Sequence, residues 1–185
     1  TACYFFVGGV CGGTPSAKST PGNYGILDNC VNKGNVTYTY LSGGSGAYPN
    51  IGGVVAYVEG TITNVENFGN ILQDNRMGTA DATWTNSNVG GIAGYVSISA
   101  ANGKNHGTIT VKGNYAGGTA GNRGSANTSS SAWAGCIGKV GPYSGGTNKN
   151  LFENFENDAN LEITPNTVTM TPNSYFAGVI GYATG

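Results

Sequence analysis

The apolar positions of the chain fall into one short pattern that occurs five times. It is clearest as VGGIAGYV at residues 89 to 96 and returns as VGGVCGG from Val7, IGGVVAYV from Ile51, WAGCIGKV from Trp133 and FAGVIGYA from Phe176. The starts lie 44, 38, 44 and 43 residues apart, the self-similarity of a repeat architecture. Along VGGIAGYV one set of alternate side chains is Val89, Gly91, Ala93 and Tyr95, and the other is Gly90, Ile92, Gly94 and Val96. Both sets are apolar or empty, which predicts a strand covered on both faces. A helix is the rival for so short a run, but each interior glycine would cost it about 1 kcal/mol relative to alanine. Glycine in a strand also lets neighbouring backbone approach closely.

A second, polar pattern alternates with the first: Asn-x-Gly-x-aliphatic. It reads Asn32-Lys33-Gly34-Asn35-Val36, Asn67-Phe68-Gly69-Asn70-Ile71 and Asn105-His106-Gly107-Thr108-Ile109, with a weaker copy at Asn157-Asp158-Ala159-Asn160-Leu161. Asparagine bonds its own backbone two residues on and glycine supplies positive φ, so a tight turn is expected. A β-branched strand such as Thr108-Ile109-Thr110-Val111 should follow it. Stacked in register, Asn32, Asn67, Asn105 and Asn157 would form a ladder of shared amide hydrogen bonds. Four independent turn asparagines is the equal alternative. Ala159 lacks the freedom of Gly34, Gly69 and Gly107, so the last turn is expected to differ. Together the patterns cover residues 5 to 183 and leave no second domain, so residues 1 to 185 read as one unit of about four repeats of roughly 40 residues.

Between these elements lie segments of uneven length such as LSGGSGAYPN (41 to 50), GNYAGGTAGNRGSANTSSS (113 to 131) and GPYSGGTNKN (141 to 150). A stacked fold tolerates such insertions, since each leaves the core at a turn. Composition supports order: only 9% of residues are charged, yet there are 11 Tyr and 6 Phe beside 33 Gly. Eight basic residues against nine acidic ones give a net charge of -1, with no basic footprint for nucleic acid and no polybasic membrane signal. The apolar runs are too short to insert across a bilayer. The chain starts at Thr1, and is read as a processed or excerpted segment.

The paired pattern resembles the GLUG repeat, a glycine-rich module of bacterial and protist surface proteins. The matching residues are Val-Gly-Gly-Ile-x-Gly at Val89 to Gly94, its variants at Ile51 to Ala56 and Phe176 to Gly181, and the intervening Asn-x-Gly turns. The chain departs from that pattern in its longer loops and in Ala134-Gly135 and Ala177-Gly178, where the double glycine is replaced. The resemblance implies a β-solenoid-like domain of a secreted or surface-anchored protein, an adhesin or a stalk, without catalytic residues.

Candidate chemistry is sparse. The single histidine, His106, stands at the variable position of an Asn-x-Gly turn and lacks sequence neighbours for catalysis; with no Cys-x-x-Cys, zinc is excluded and no cofactor is expected. Cys11 aligns with Val55, Ala93, Ile137 and Ile180, and Cys136 with Val54, Ile92 and Val179, as small core groups would. Cys3 and Cys30 flank the first repeat and are the candidates for a disulfide staple. Glu153, Glu156, Asp158 and Glu162 form the one acidic cluster; glycoside hydrolysis needs two placed carboxylates, although a solvated face is the simpler reading. Asn35-Val36-Thr37 and Asn127-Thr128-Ser129 are glycosylation sequons. Tyr48, Tyr115 and Tyr143, read as loop residues, offer rings for stacking on sugars.

The expected object is therefore an all-β, solenoid-like or β-helix-like repeat domain with long irregular loops, extracellular or at the cell surface. The expected role is a non-enzymatic structural or adhesive module. Its partners would be adjacent repeats of the parent chain or neighbouring copies, with glycans or matrix proteins as ligands. One alternative is a subunit of an extracellular filament, since the chain begins and ends inside the glycine-rich element without a polar cap. The other is a carbohydrate-active β-helix enzyme.

Overall fold

The computed structural model describes residues 3–14, 25–39, 47–74, 87–113, 131–141, 151–165 and 174–183. All regular structure within them is β-strand, so there is no helix there to cross a membrane. The first pass of the chain makes β1 (Cys3–Gly8), β2 (Cys11–Gly13), β3 (Gly25–Asp28), β4 (Val31–Asn32) and β5 (Val36–Thr39). The second makes β6 (Ala47–Gly52), β7 (Val55–Val58), β8 (Gly60–Asn67) and β9 (Ile71–Asp74). The third makes β10 (Asn88–Gly90), β11 (Ala93–Val96), β12 (Ser99–Asn105) and β13 (Ile109–Gly113). The fourth makes β14 (Ser131–Ala134), β15 (Ile137–Val140), β16 (Leu151–Asn157) and β17 (Leu161–Pro165), and β18 (Ser174–Ala177) and β19 (Ile180–Ala183) follow.

Four parallel sheets result, each taking strands from successive passes. The first runs β1-β6-β10-β14-β18 and the second β2-β7-β11-β15-β19; the third runs β3-β8-β12-β16, with β4 also on β8, and the fourth β5-β9-β13-β17. The chain is thus all-β with parallel sheets, an arrangement consistent with a β-helix-like fold. Register aligns like with like: Val7 with Ile51, Ile51 with Val89, Val89 with Trp133, and Trp133 with Phe176. Cys11, Val55, Ala93, Ile137 and Ile180 form the corresponding column of the second sheet.

VGGIAGYV is not one strand. β10 ends at Gly90 and β11 begins at Ala93, and the two belong to different sheets. Between them the amides of both Ile92 and Ala93 donate to the Cys136 carbonyl, at 2.8 and 3.1 Å, so the chain turns while its polar groups stay paired with the next pass. The same corner repeats at Val54 and Val55, whose amides share the Ile92 carbonyl. Both flanks of the motif are buried because it bends around the interior.

That interior holds two apolar clusters. One, from the second and third sheets, includes Val54, Val58, Ile62, Val65, Ile92, Val96, Cys136 and Ile137. The other, from the first and fourth, gathers Ile51, Val89 and Trp133 with Val36, Ile71, Ile109 and Val111. Each fully buried Ile or Val contributes about 1.5–3 kcal/mol relative to an exposed one. Side-chain volumes compensate between passes: Gly103 pairs with Phe155, whose ring occupies the space a Cβ at Gly103 would need.

Candidate functional site

Asn32, Asn67, Asn105 and Asn157 end the third-sheet strands, and the register stacks them directly. Asn32 Nδ2 donates to Asn67 Oδ1, Asn67 Nδ2 to Asn105 Oδ1, and Asn105 Nδ2 to Asn157 Oδ1, each at 2.8 Å. The second Nδ2 hydrogen goes to the carbonyl two residues on, at Gly34, Gly69, Gly107 and Ala159 (2.7–2.9 Å). In the first three turns that glycine's amide returns a bond to the Oδ1. Asn67 is 0% exposed and so makes four hydrogen bonds with water shut out. This column separates the two apolar clusters.

The second glycine of each double-Gly site makes room for it. A Cβ on Gly9, Gly53, Gly91 or Gly135 would overlap the amide carbon of Asn32, Asn67, Asn105 or Asn157 respectively. In each case it would also overlap the next pass's carbonyl, at Gly53, Gly91, Gly135 and Gly178 respectively. The two sequence patterns are therefore one packing unit, corner against ladder. The positions where alanine replaces the first glycine, Ala134 and Ala177, leave this second glycine in place.

Positive φ, expected at the turn glycines, lies elsewhere. Among non-glycine residues it occurs at Asn29, Asn64, Asn102 and Asn154, with φ of 54°, 54°, 55° and 56°. Gly69 and Gly107 are instead close-approach positions, where a Cβ would meet the carbonyl oxygen of the previous turn glycine. The left-handed asparagines form a second, exposed column: Asn154 Nδ2 donates to Asn102 Oδ1, Asn102 to Asn64, and Asn64 to Asp28 Oδ1, at 2.9–3.0 Å. Its donors point toward earlier passes and those of the buried ladder toward later ones, so the two amide dipoles oppose. The Thr63 hydroxyl, then the Asn64 amide, holds the Asp28 carboxyl below the usual carboxylate range. The sequence signal for this column is an asparagine three residues before each of Asn32, Asn67, Asn105 and Asn157.

These exposed asparagines carry a prediction. Asn64→Ala places a Cβ without a local hydrogen-bonding amide at φ 54°, and should lose about 1–2 kcal/mol. Asn64→Gly removes the same amide bonds but relieves the φ, and should lose less. Urea midpoints of the two variants compare the effects; equal losses would assign the cost to the amide column instead.

His106 is drawn into a polar cluster by contacts distant in sequence. Its Nδ1 lies 2.8 Å from Asp158 Oδ2 and its Nε2 3.0 Å from Glu66 Oε1, and its ring stacks on Phe68 with centroids 4.7 Å apart. Lys104 beside it pairs with Glu156 at 3.2 Å. The hydrogen bonds to Asp158 and then Glu66 raise the His106 pKa. Two members of the acidic cluster are thus tied to basic partners, Glu156 to Lys104 and Asp158 to His106, while Glu153 and Glu162 are exposed on β16 and β17. Among the described residues no three His, Cys, Asp or Glu side chains converge to hold a metal.

Elsewhere, ring columns stack in the same manner. Tyr57 and Tyr95 are parallel at 4.8 Å, and Lys139, next in register, lies over Tyr182. Burial lowers the Lys139 pKa and, ahead of the Glu59 charge, raises that of Tyr95. Trp133 and Phe176 are parallel at 4.9 Å.

The Cys3–Cys30 staple is not formed. Cys30 is a free thiol packed against the core cluster between β3 and β4, whereas Cys3 opens β1 in another sheet. Cys11 and Cys136 are also free, and burial pushes the Cys136 thiol up to about 12. Asn35 is exposed but its Oδ1 accepts the Asn70 amide at 2.9 Å. Tyr48 belongs to β6 rather than a loop. Asn127, Tyr115 and Tyr143 lie outside the described residues. Comparison with family models, with curated proteins and with solved structures finds no match for this chain.

Proposed function

We propose that the chain is a GLUG-like β-solenoid acting as a non-enzymatic structural or adhesive module of a secreted or cell-surface protein. The buried asparagine ladder carries this reading. Side chains able to bind a ligand are spent on one another, pass after pass, in a column whose hydrogen bonds are internal. Such a column stiffens a stack along its axis and offers no reacting group. In this reading the segments of unequal length between passes supply any adhesive surface. Adjacent repeats of the parent chain or neighbouring copies cover the exposed Phe5, Phe6, Val10, Phe176 and Val179.

The test applies the purified 185-residue chain to a glycan and matrix-protein array and, in parallel, to polysaccharide substrates. Binding without turnover is expected. Release of reducing ends that disappears in a Glu156→Ala, Asp158→Ala double variant would overturn the non-enzymatic reading in favour of a carbohydrate-active enzyme. Silence on the whole array from folded protein would remove adhesion and leave a spacer.

A further inference from the structure

His106 has a carboxylate oxygen on each ring nitrogen, one from the pass before it and one from the pass after. A neutral imidazole carries a single N–H and can donate to only one of them; the imidazolium carries two and can donate to both. From this geometry we infer that His106 is a proton-operated clasp joining three successive passes, closed when the ring is charged and half-released when it is neutral.

The surroundings favour that role. Phe68 stacks on the ring from the preceding pass and fixes its plane, and a cation over that ring face is attracted to it. The charged groups facing His106 are Glu66 on β8, Lys104 on β12 two residues before it, and Glu156 and Asp158 on or just beyond β16. Lys104 satisfies Glu156, which leaves Glu66 and Asp158 to the histidine. The side chains of His106, Glu66 and Asp158 are 26%, 36% and 54% exposed, so protons exchange freely with solvent. When the ring is neutral one of the two carboxylate ties is lost, while the turn at residues 157–160 keeps its backbone bond from Asp158 N to Asn105 O and the ladder bond from Asn105 to Asn157.

The pKa direction agrees and sets the sign. The folded pKa is raised above the unfolded value, so the clasp's stabilisation is fully present below about 6.5 and is lost as pH rises through the folded pKa. This device holds the later pass more firmly in acid.

The experiment uses the intact chain, whose single histidine makes the imidazole Cε1–H resonance directly assignable. NMR titration should place its midpoint above about 6.5, moving down toward that value in Glu66→Gln and in Asp158→Asn. Urea midpoints of the wild type should fall between pH 6 and pH 9, while those of His106→Gln change less over the same interval. A resonance titrating at or below about 6.5, or the same pH dependence with and without His106, would overturn the clasp. Should His106→Gln not fold, the Asp158→Asn titration decides alone, because that side chain is largely exposed.

Discussion

Asn67→Ala is expected to lower the unfolding free energy by about 3–5 kcal/mol, among the largest losses any single polar side chain here can produce. The amide is 0% exposed and makes four hydrogen bonds. Truncation leaves Asn32 Nδ2, Asn105 Oδ1 and both polar groups of Gly69 without that partner, each costing about 1–3 kcal/mol when water cannot reach it. The sum is reduced because the neighbouring passes can relax. Asn157→Ala, in a half-buried member of the same column, should cost clearly less. Chemical denaturation of both variants checks the order. A loss below about 1 kcal/mol at Asn67 would mean that the ladder is not what holds the passes together.

A single methyl group should do comparable damage at the corner. Gly91→Ala drives a Cβ into the Gly135 carbonyl and the Asn105 amide, backbone on one side and the ladder on the other. Overpacking alone costs about 1–3 kcal/mol, and displacing Asn105 adds the loss of its bonds, so a total of about 3 kcal/mol or a failure to fold is expected. Gly178→Ala is the internal control. It occupies the same place in the motif but has nothing within 4 Å of a would-be Cβ, so its effect should stay within about 0.5 kcal/mol. Thermal melts of the pair are sufficient. Equal effects would show that backbone freedom, not close approach, explains the glycine.

Much of the fold was legible because its signals are local. Alternating apolar side chains and glycines marked β-structure, and the placing of Cys11 and Cys136 among aliphatic residues followed from aligning copies of one motif. The candidate site was legible only in part. Asn32, Asn67, Asn105 and Asn157 could be singled out, but whether they turn separately or bond to one another depends on register. Their spacings along the chain, 35, 38 and 52 residues, differ from those of the glycine motif because the segments between them vary in length.

The sequence by itself determined the alternation of two motifs, the all-β character and the asparagines available for a ladder, because these depend on residue type and short spacing. Tertiary structure alone decided that VGGIAGYV is a corner between two sheets and that left-handed backbone falls on Asn64 and its equivalents rather than on the turn glycines. It also decided that His106 meets Glu66 and Asp158, 40 and 52 residues away. The physical reason is common to all three. The third is a contact between passes, and the first two are backbone bends held by hydrogen bonds to neighbouring passes, so all depend on how the parallel strands align across passes, which side-chain pattern within one pass does not fix.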